Sequence, residues 1–136
     1  MYNHCMNMQS DPDNVSYYLT RAITKQSDAL YRNKKFRTLI NWSSISKTEQ
    51  DRIFNELIVN AIVMVILVST SIKRLHNKNP EQYQFYFQLS LFMHNTYSNL
   101  LKEIGVATKY TELWKKLIDL RIDEYRKDVT EYNEPI

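Results

Sequence analysis

Glycine and proline are scarce in this chain, which contains one glycine and three prolines among 136 residues. A β-sandwich or β-barrel needs many tight turns, and these two residues supply most of them. Their scarcity therefore argues against both folds and favours a few long helices. At 43% hydrophobic and 24% charged residues, the chain is typical of one soluble domain that buries a core without disulfides or metals.

Cysteine and histidine are also few. The single Cys5 cannot form an internal disulfide and indicates a reducing compartment, so we expect a cytoplasmic protein. The Glu-x-x-His pattern of di-iron bundles does not occur, and the three histidines are too far apart in sequence for a structural zinc site. We therefore predict no metal and no cofactor.

No motif in the sequence indicates an enzyme. One glycine cannot build a Gly-rich phosphate loop, and no basic residue follows Cys5 closely enough in sequence to nominate it as a nucleophile. A Ser-His-Asp set could still assemble in space, but no spacing indicates one. We therefore predict a protein without catalytic activity.

A long apolar run lies near the middle of the chain. Between Leu57 and Val68 the only polar residue is Asn60. That run is too short for a membrane span of about 20 residues, and extending it to residues 53–72 brings in Glu56. We therefore predict a buried core helix and no stable membrane insertion.

Four segments carry the start and stop signals of long helices. Ser46 and Glu49 have capping-box spacing, and Gly105, the only glycine, stands where a left-handed C-terminal cap is needed. Asp11, Asn79 and Thr108 are predicted to cap the other helices. The predicted helices, called the first to fourth below, cover residues 11–32, 46–76, 80–104 and 108–132.

The connections between these helices are short, so consecutive long helices should pack antiparallel. Residues 33–42 are predicted either to form a short helix or to extend the first helix. Residues 1–10 are predicted to be flexible, and residues 11–134 to form one domain. The sequence thus predicts an all-α, up-and-down bundle of four main helices, with or without a short fifth.

The second and third helices are more apolar than a monomeric four-helix bundle requires. In the third helix, Tyr83, Phe85, Phe87 and Leu91 flank a narrow polar strip. We predict these four residues to form the edge of an interface with another subunit or partner, with the second helix contributing to it. The alternative is that the second helix is fully wrapped by its neighbours and the third half-wrapped.

Arg121 lies at the centre of the apolar face of the fourth helix, where an unpaired arginine would be costly to bury. Glu56 and Asn60, in the otherwise apolar second helix, are natural partners, and we predict a buried pair with Glu56. The pair could fix the register of the two helices, or it could line a polar pocket between them. A third possibility is that Arg121 extends to the end of the bundle.

A basic segment lies at the end of the first helix, with Arg32, Lys34, Lys35 and Arg37 close to Tyr31, Phe36 and Trp42. Such a combination can bind nucleic acid through phosphate contacts and stacking. It can also be a solvated surface, or meet the acidic fourth helix of another subunit. The net charge of +3 is mild. We therefore predict protein–protein association, as a homo-oligomer or a subunit of a larger assembly, with a nucleic-acid-binding accessory protein as the alternative.

Overall fold

The computed structural model describes residues 11–71 and 78–133, and their side chains as far as residue 128. It confirms the prediction of an all-α bundle with four long helices and a short fifth. The elements are α1 (Pro12–Arg32), α2 (Lys34–Leu39), a 3-10 turn (Trp42–Ser44), α3 (Lys47–Thr70), α4 (Pro80–Glu103) and α5 (Thr108–Asn133). The predicted flexible N-terminus and the predicted end of the second helix near His76 lie outside the described residues.

Side-chain caps fix where the long helices begin. The Ser46 hydroxyl accepts a hydrogen bond from the backbone N–H of Glu49 at 3.1 Å, and the Asn79 side chain accepts one from the N–H of Gln82 at 3.1 Å. Each bond satisfies an N–H that has no partner inside its helix. The predicted starts of the second and third long helices are thus reproduced by local chemistry.

Asn33 separates α1 from α2 and so decides between the two predictions for this segment. Its backbone is extended, with φ −68° and ψ 131°, which ends α1. Its side chain then accepts a hydrogen bond from the N–H of Phe36 at 3.1 Å and starts α2. The segment is therefore a separate short helix.

The end of α4 is a Schellman motif. The N–H of Gly105 bonds to the carbonyl of Lys102 at 3.1 Å, and the N–H of Val106 bonds to that of Leu101 at 2.9 Å. Gly105 has φ 94°, a conformation that a side chain would strain. This is the role that the sequence predicts for the only glycine.

The start of α5 differs by one residue from the prediction. Thr108 is the first helical residue, not the cap, because the carbonyl of Ala107 accepts the N–H groups of Tyr110 and Thr111 at 3.0 and 3.2 Å. The Thr108 side chain is therefore not needed to start the helix.

The long helices form a central pair with one helix on each flank. α3 and α4 pack against each other, and each also packs against α1 and α5. Consecutive long helices are antiparallel, as predicted, so α1 runs parallel to α4 and α3 runs parallel to α5. Because each central helix has neighbours on three sides, each keeps one side turned outward.

The core is built mainly from the inward side of α3. Its members share near-complete exclusion from solvent: Ile58, Val59, Ile62, Val63, Ile66, Leu89, Met93, Tyr97, Ile118 and Ile122. α1 contributes only small hydroxyl residues to the fully buried set, Ser16, Thr20 and Ser27. Thr20 satisfies its hydroxyl by donating to the Ser16 carbonyl at 2.8 Å, so α1 packs closely without leaving an unpaired polar group.

Tyr97 is the one buried core residue with a titratable group. Its side chain is 3% exposed, and its hydroxyl donates to Asn55 Oδ1 at 3.3 Å. Burial penalises the phenolate and raises the pKa of Tyr97 to about 12. The neutral form is therefore favoured in the folded protein.

We expect the raised pKa of Tyr97 to lower the free energy of unfolding at alkaline pH. Tyr97→Phe should remove this loss, because phenylalanine does not ionise. Because the folded-state pKa is above the unfolded value, the contribution is complete at neutral pH and is lost as the pH rises through the folded pKa. At about pH 11, linkage predicts that the wild type loses roughly 1 kcal/mol of unfolding free energy through this group alone. Urea denaturation at about pH 8 and about pH 11 measures it.

The matched control is Tyr110→Phe, which changes a half-exposed tyrosine. That variant should lose as much stability between the two pH values as the wild type does. An equal loss in Tyr97→Phe would show that Tyr97 ionises without unfolding the core.

A candidate association surface on α3

One side of α3 is open to solvent although the helix is apolar all round. Only 28% of its most apolar 18-residue window is buried in the bundle. Ile53, Leu57, Ala61, Met64 and Val68 recur every three or four residues on the side that faces away from α4. We call these five residues the α3 outer stripe. Met64 is 54% exposed and Val68 is 57% exposed.

The outer stripe carries no charge. Glu56 is the only charged residue of α3 after Arg52, and it points toward α5, where it binds Arg121. Asn60, the only polar residue in the run, also points toward α5 and accepts a hydrogen bond from the Tyr125 hydroxyl at 2.6 Å. The polar groups of α3 are thus engaged inside the bundle, and the outward side is apolar.

An apolar groove of about 380 Å³ runs beside the stripe, between α1 and α3. Its lining is almost entirely aliphatic: Leu19, Ala22, Ile23, Gln26, Ser27, Leu30, Leu57, Ala61 and Val65. Leu57 and Ala61 belong to both the groove and the stripe. The two features therefore form one continuous apolar surface without a charged side chain in its lining, and such surfaces on soluble proteins mark binding sites.

Within the part of the chain that the structure describes, the second predicted helix is not fully wrapped. Three neighbouring helices cover three sides of α3, and no other described element covers the fourth. By length and composition α3 could also cross a membrane, a test that the core helix of a soluble protein passes as well. The absence of stable membrane insertion stays a prediction.

The four interface residues predicted on the third helix do not share one environment. Phe85 packs against the core, because it lies two residues, or about 200°, from Phe87 around the helix. The rings of Tyr83 and Phe87 stack with centroids 6.3 Å apart. Phe87 and Leu91 are 43% and 47% exposed. The structure thus places Tyr83, Phe87 and Leu91 along one line of α4 and turns Phe85 inward.

The surroundings of this line are more polar than those of the α3 outer stripe. Gln84 and Asn95 are exposed and Gln88 is half-buried, one turn or less from Phe87 or Leu91. The apolar area on α4 is therefore broken by amide side chains. Of the two outward faces, the one on α3 is the longer and the more uniformly apolar.

The fold places the four residues predicted to contact nucleic acid in different environments. The Arg37 guanidinium lies 4.2 Å from the centroid of the Trp42 ring and donates to the Tyr31 carbonyl at 2.8 Å. Arg32 pairs with Asp28 at 3.0 Å. Lys34 and Lys35 are both exposed.

Arg37 therefore holds the corner between α1 and α3 together. The Tyr31 ring contacts both Trp42 and Phe54, with centroids 4.8 and 4.9 Å apart, and Arg37 covers the Trp42 ring. Nucleic-acid binding by this segment stays a prediction, and within it Lys34 and Lys35 are the two cations without a described ion pair.

The predicted Arg121–Glu56 pair joins α5 to α3. Arg121 Nε donates to Glu56 Oε2 at 3.1 Å, a second guanidinium nitrogen donates to Oε1 of the same carboxylate, and a third donates to Glu124 at 2.8 Å. The Arg121 and Glu56 side chains are 24% and 17% exposed, so the pair is half-buried. The hydrogen bonds that Arg121 donates to the two carboxylates raise the pKa of its guanidinium, which stays charged.

We expect Arg121→Ala to lower the free energy of unfolding by about 1–2 kcal/mol, because it leaves the half-buried Glu56 carboxylate without its bidentate partner. Lys127→Ala, which removes an exposed cation from the same helix, should change stability by less than about 0.5 kcal/mol. Chemical denaturation of both variants measures the difference. Equal midpoints would exclude a structural role for the pair.

The described residues do not contain a group of three or more His, Cys, Asp or Glu placed to hold a metal ion. His94, the one described histidine, has Nδ1 3.1 Å from Asp119 Oδ1. This contact joins α4 to α5 on the side of the bundle opposite the α1 helix.

Comparisons with protein-family models, with curated proteins and with solved structures found no match for this chain. The function must therefore be inferred from the chain's own surfaces. Sequence reasoning missed the α3 outer stripe as a set of named residues. A helix that is apolar in every direction has more apolar surface than its neighbours in a bundle can cover. Its sequence periodicity, however, does not show which side stays exposed to solvent.

Proposed function

We propose that this protein acts through protein–protein association rather than catalysis, as a homo-oligomer or as a subunit of a larger assembly. The observation that carries the proposal is the α3 outer stripe, where the most apolar helix of the bundle meets solvent. Covering apolar area is favourable by roughly 25 cal/mol per Å². An uncharged surface that extends from Ile53 to Val68 therefore gives a strong drive to associate.

The shape of this surface supports the same proposal. The groove between α1 and α3 is an apolar depression that overlaps the stripe at Leu57 and Ala61. Helices pack by seating side-chain ridges of one in the grooves of another. An apolar helix side beside such a groove thus suits an α-helical partner surface.

The proposal predicts that a charge in the stripe disrupts association. Met64→Lys should convert an oligomer to a monomer, since a lysine buried at an apolar interface without a partner is strongly unfavourable. Because Met64 is exposed in the single chain, the fold should be retained. Light scattering after size-exclusion chromatography, over a range of concentrations, measures the mass, and circular dichroism measures the fold.

The matched control is Leu91→Lys, which places the same charge on the outward side of α4 at a residue of similar exposure. That variant should keep the mass of the wild type. A wild type that is monomeric at every concentration would contradict self-association. Loss of the oligomer in Leu91→Lys but not in Met64→Lys would move the interface to α4.

A further inference from the structure

We propose that the occupant of the α3 outer stripe is a second copy of this chain, packed so that the two α3 helices run antiparallel about a two-fold axis between Asn60 and Ala61. This inference rests on the proposed function and specifies its partner and geometry. Two independent features carry it, the spacing of the stripe and the distribution of charge around it.

Four of the five stripe residues are placed symmetrically along α3. From the midpoint between Asn60 and Ala61, Leu57 and Met64 are equally distant, and so are Ile53 and Val68. In an antiparallel pair centred there, Leu57 of one copy faces Met64 of the other, and Ile53 faces Val68. These four residues then each meet an apolar residue, and the small Ala61 lies half a residue from the crossing point, where the helix backbones come closest.

The charges on the flanks distinguish this arrangement from a parallel one. α1 is antiparallel to α3, and the contact of Tyr31 with Phe54 shows that these two residues lie side by side along the bundle axis. The exposed Asp11 lies at one end of α1, and the exposed Lys34 and Lys35 follow its other end. An antiparallel two-fold brings Asp11 of each copy toward Lys34 and Lys35 of the other, so opposite charges meet twice.

A parallel two-fold would place α1 of one copy against α5 of the other, because that symmetry exchanges the two flanks of α3. Asp11 would then not meet Lys34 and Lys35, so a parallel pair lacks both contacts of opposite charge.

Disulfide cross-linking tests the geometry directly. In a Cys5→Ser background, we would place single cysteines at Ala61, Ile53 and Val68 and oxidise the full chain under mild conditions. A disulfide needs Cα atoms within about 7 Å. The antiparallel arrangement separates the two copies of Ile53 by about 22 Å along the axis.

We expect Ala61→Cys to form a covalent dimer by itself. Ile53→Cys and Val68→Cys should not cross-link singly, but a mixture of the two should give a heterodimer, and adding Met64→Lys should abolish every cross-link. If Ile53→Cys alone cross-links as readily as Ala61→Cys, the helices are parallel and the inference is overturned.

A charge-reversal series tests the predicted contacts of Asp11 with Lys34 and Lys35 of the other copy, and it needs no added cysteine. Lys34→Glu with Lys35→Glu should raise the dimer dissociation constant about tenfold at low salt. Adding Asp11→Lys should restore most of the affinity, because the opposite pairs are re-formed. A lack of rescue, with the dimer otherwise intact, would overturn the predicted pairing.

Failure of this inference and failure of the proposed function give different results. A dimer that Met64→Lys dissociates, but whose cross-links follow the parallel pattern, keeps the proposed function and rejects the antiparallel geometry. A wild type that stays monomeric by light scattering rejects both.

Discussion

The structure depends on the fact that a helix has four sides to cover and α3 has three neighbours. Nearly every residue from 57 to 68 is apolar, so burial on any side is favourable. α1, α4 and α5 cover three sides and build the core around Ile58, Ile62 and Ile66. The remaining side is as apolar as the others, and its exposure is the main unfavourable feature of the isolated chain.

Polar groups set the orientation of α3 within this apolar surrounding. Glu56 and Asn60 lie one turn apart and bind Arg121 and Tyr125, which lie one turn apart on α5. This parallel pair of contacts fixes both the rotation of α3 and its register against α5, because a slip of one residue would bury a carboxylate without a partner. The same contacts turn the outer stripe toward solvent, so the polar seam inside the bundle determines which apolar residues remain outside it.

The basic segment shows that residues whose sequence pattern is typical of a binding site can instead form contacts within the fold. Arg32, Lys34, Lys35 and Arg37 are close in sequence, but two of them form intramolecular contacts. Arg37 is held over Trp42 and stabilises the corner that returns the chain to α3. The two lysines that are left lie at one end of α1, opposite in charge to Asp11 at the other end. Charges of opposite sign therefore lie at the two ends of α1.

The sequence by itself determined the helices, because caps and breaks act over three or four residues: Ser46, Asn79 and Gly105 each have the predicted role. It also predicted the Arg121–Glu56 contact, since a charge on an apolar face needs a partner and α3 offers one carboxylate after Arg52, and the structure shows that contact. Only the tertiary structure decided which side of α3 is open and that Phe85 points inward while Phe87 does not. The apolar pattern of α3 has no preferred direction by itself, so its orientation follows from where Arg121 and Tyr125 meet Glu56 and Asn60 in the packed bundle.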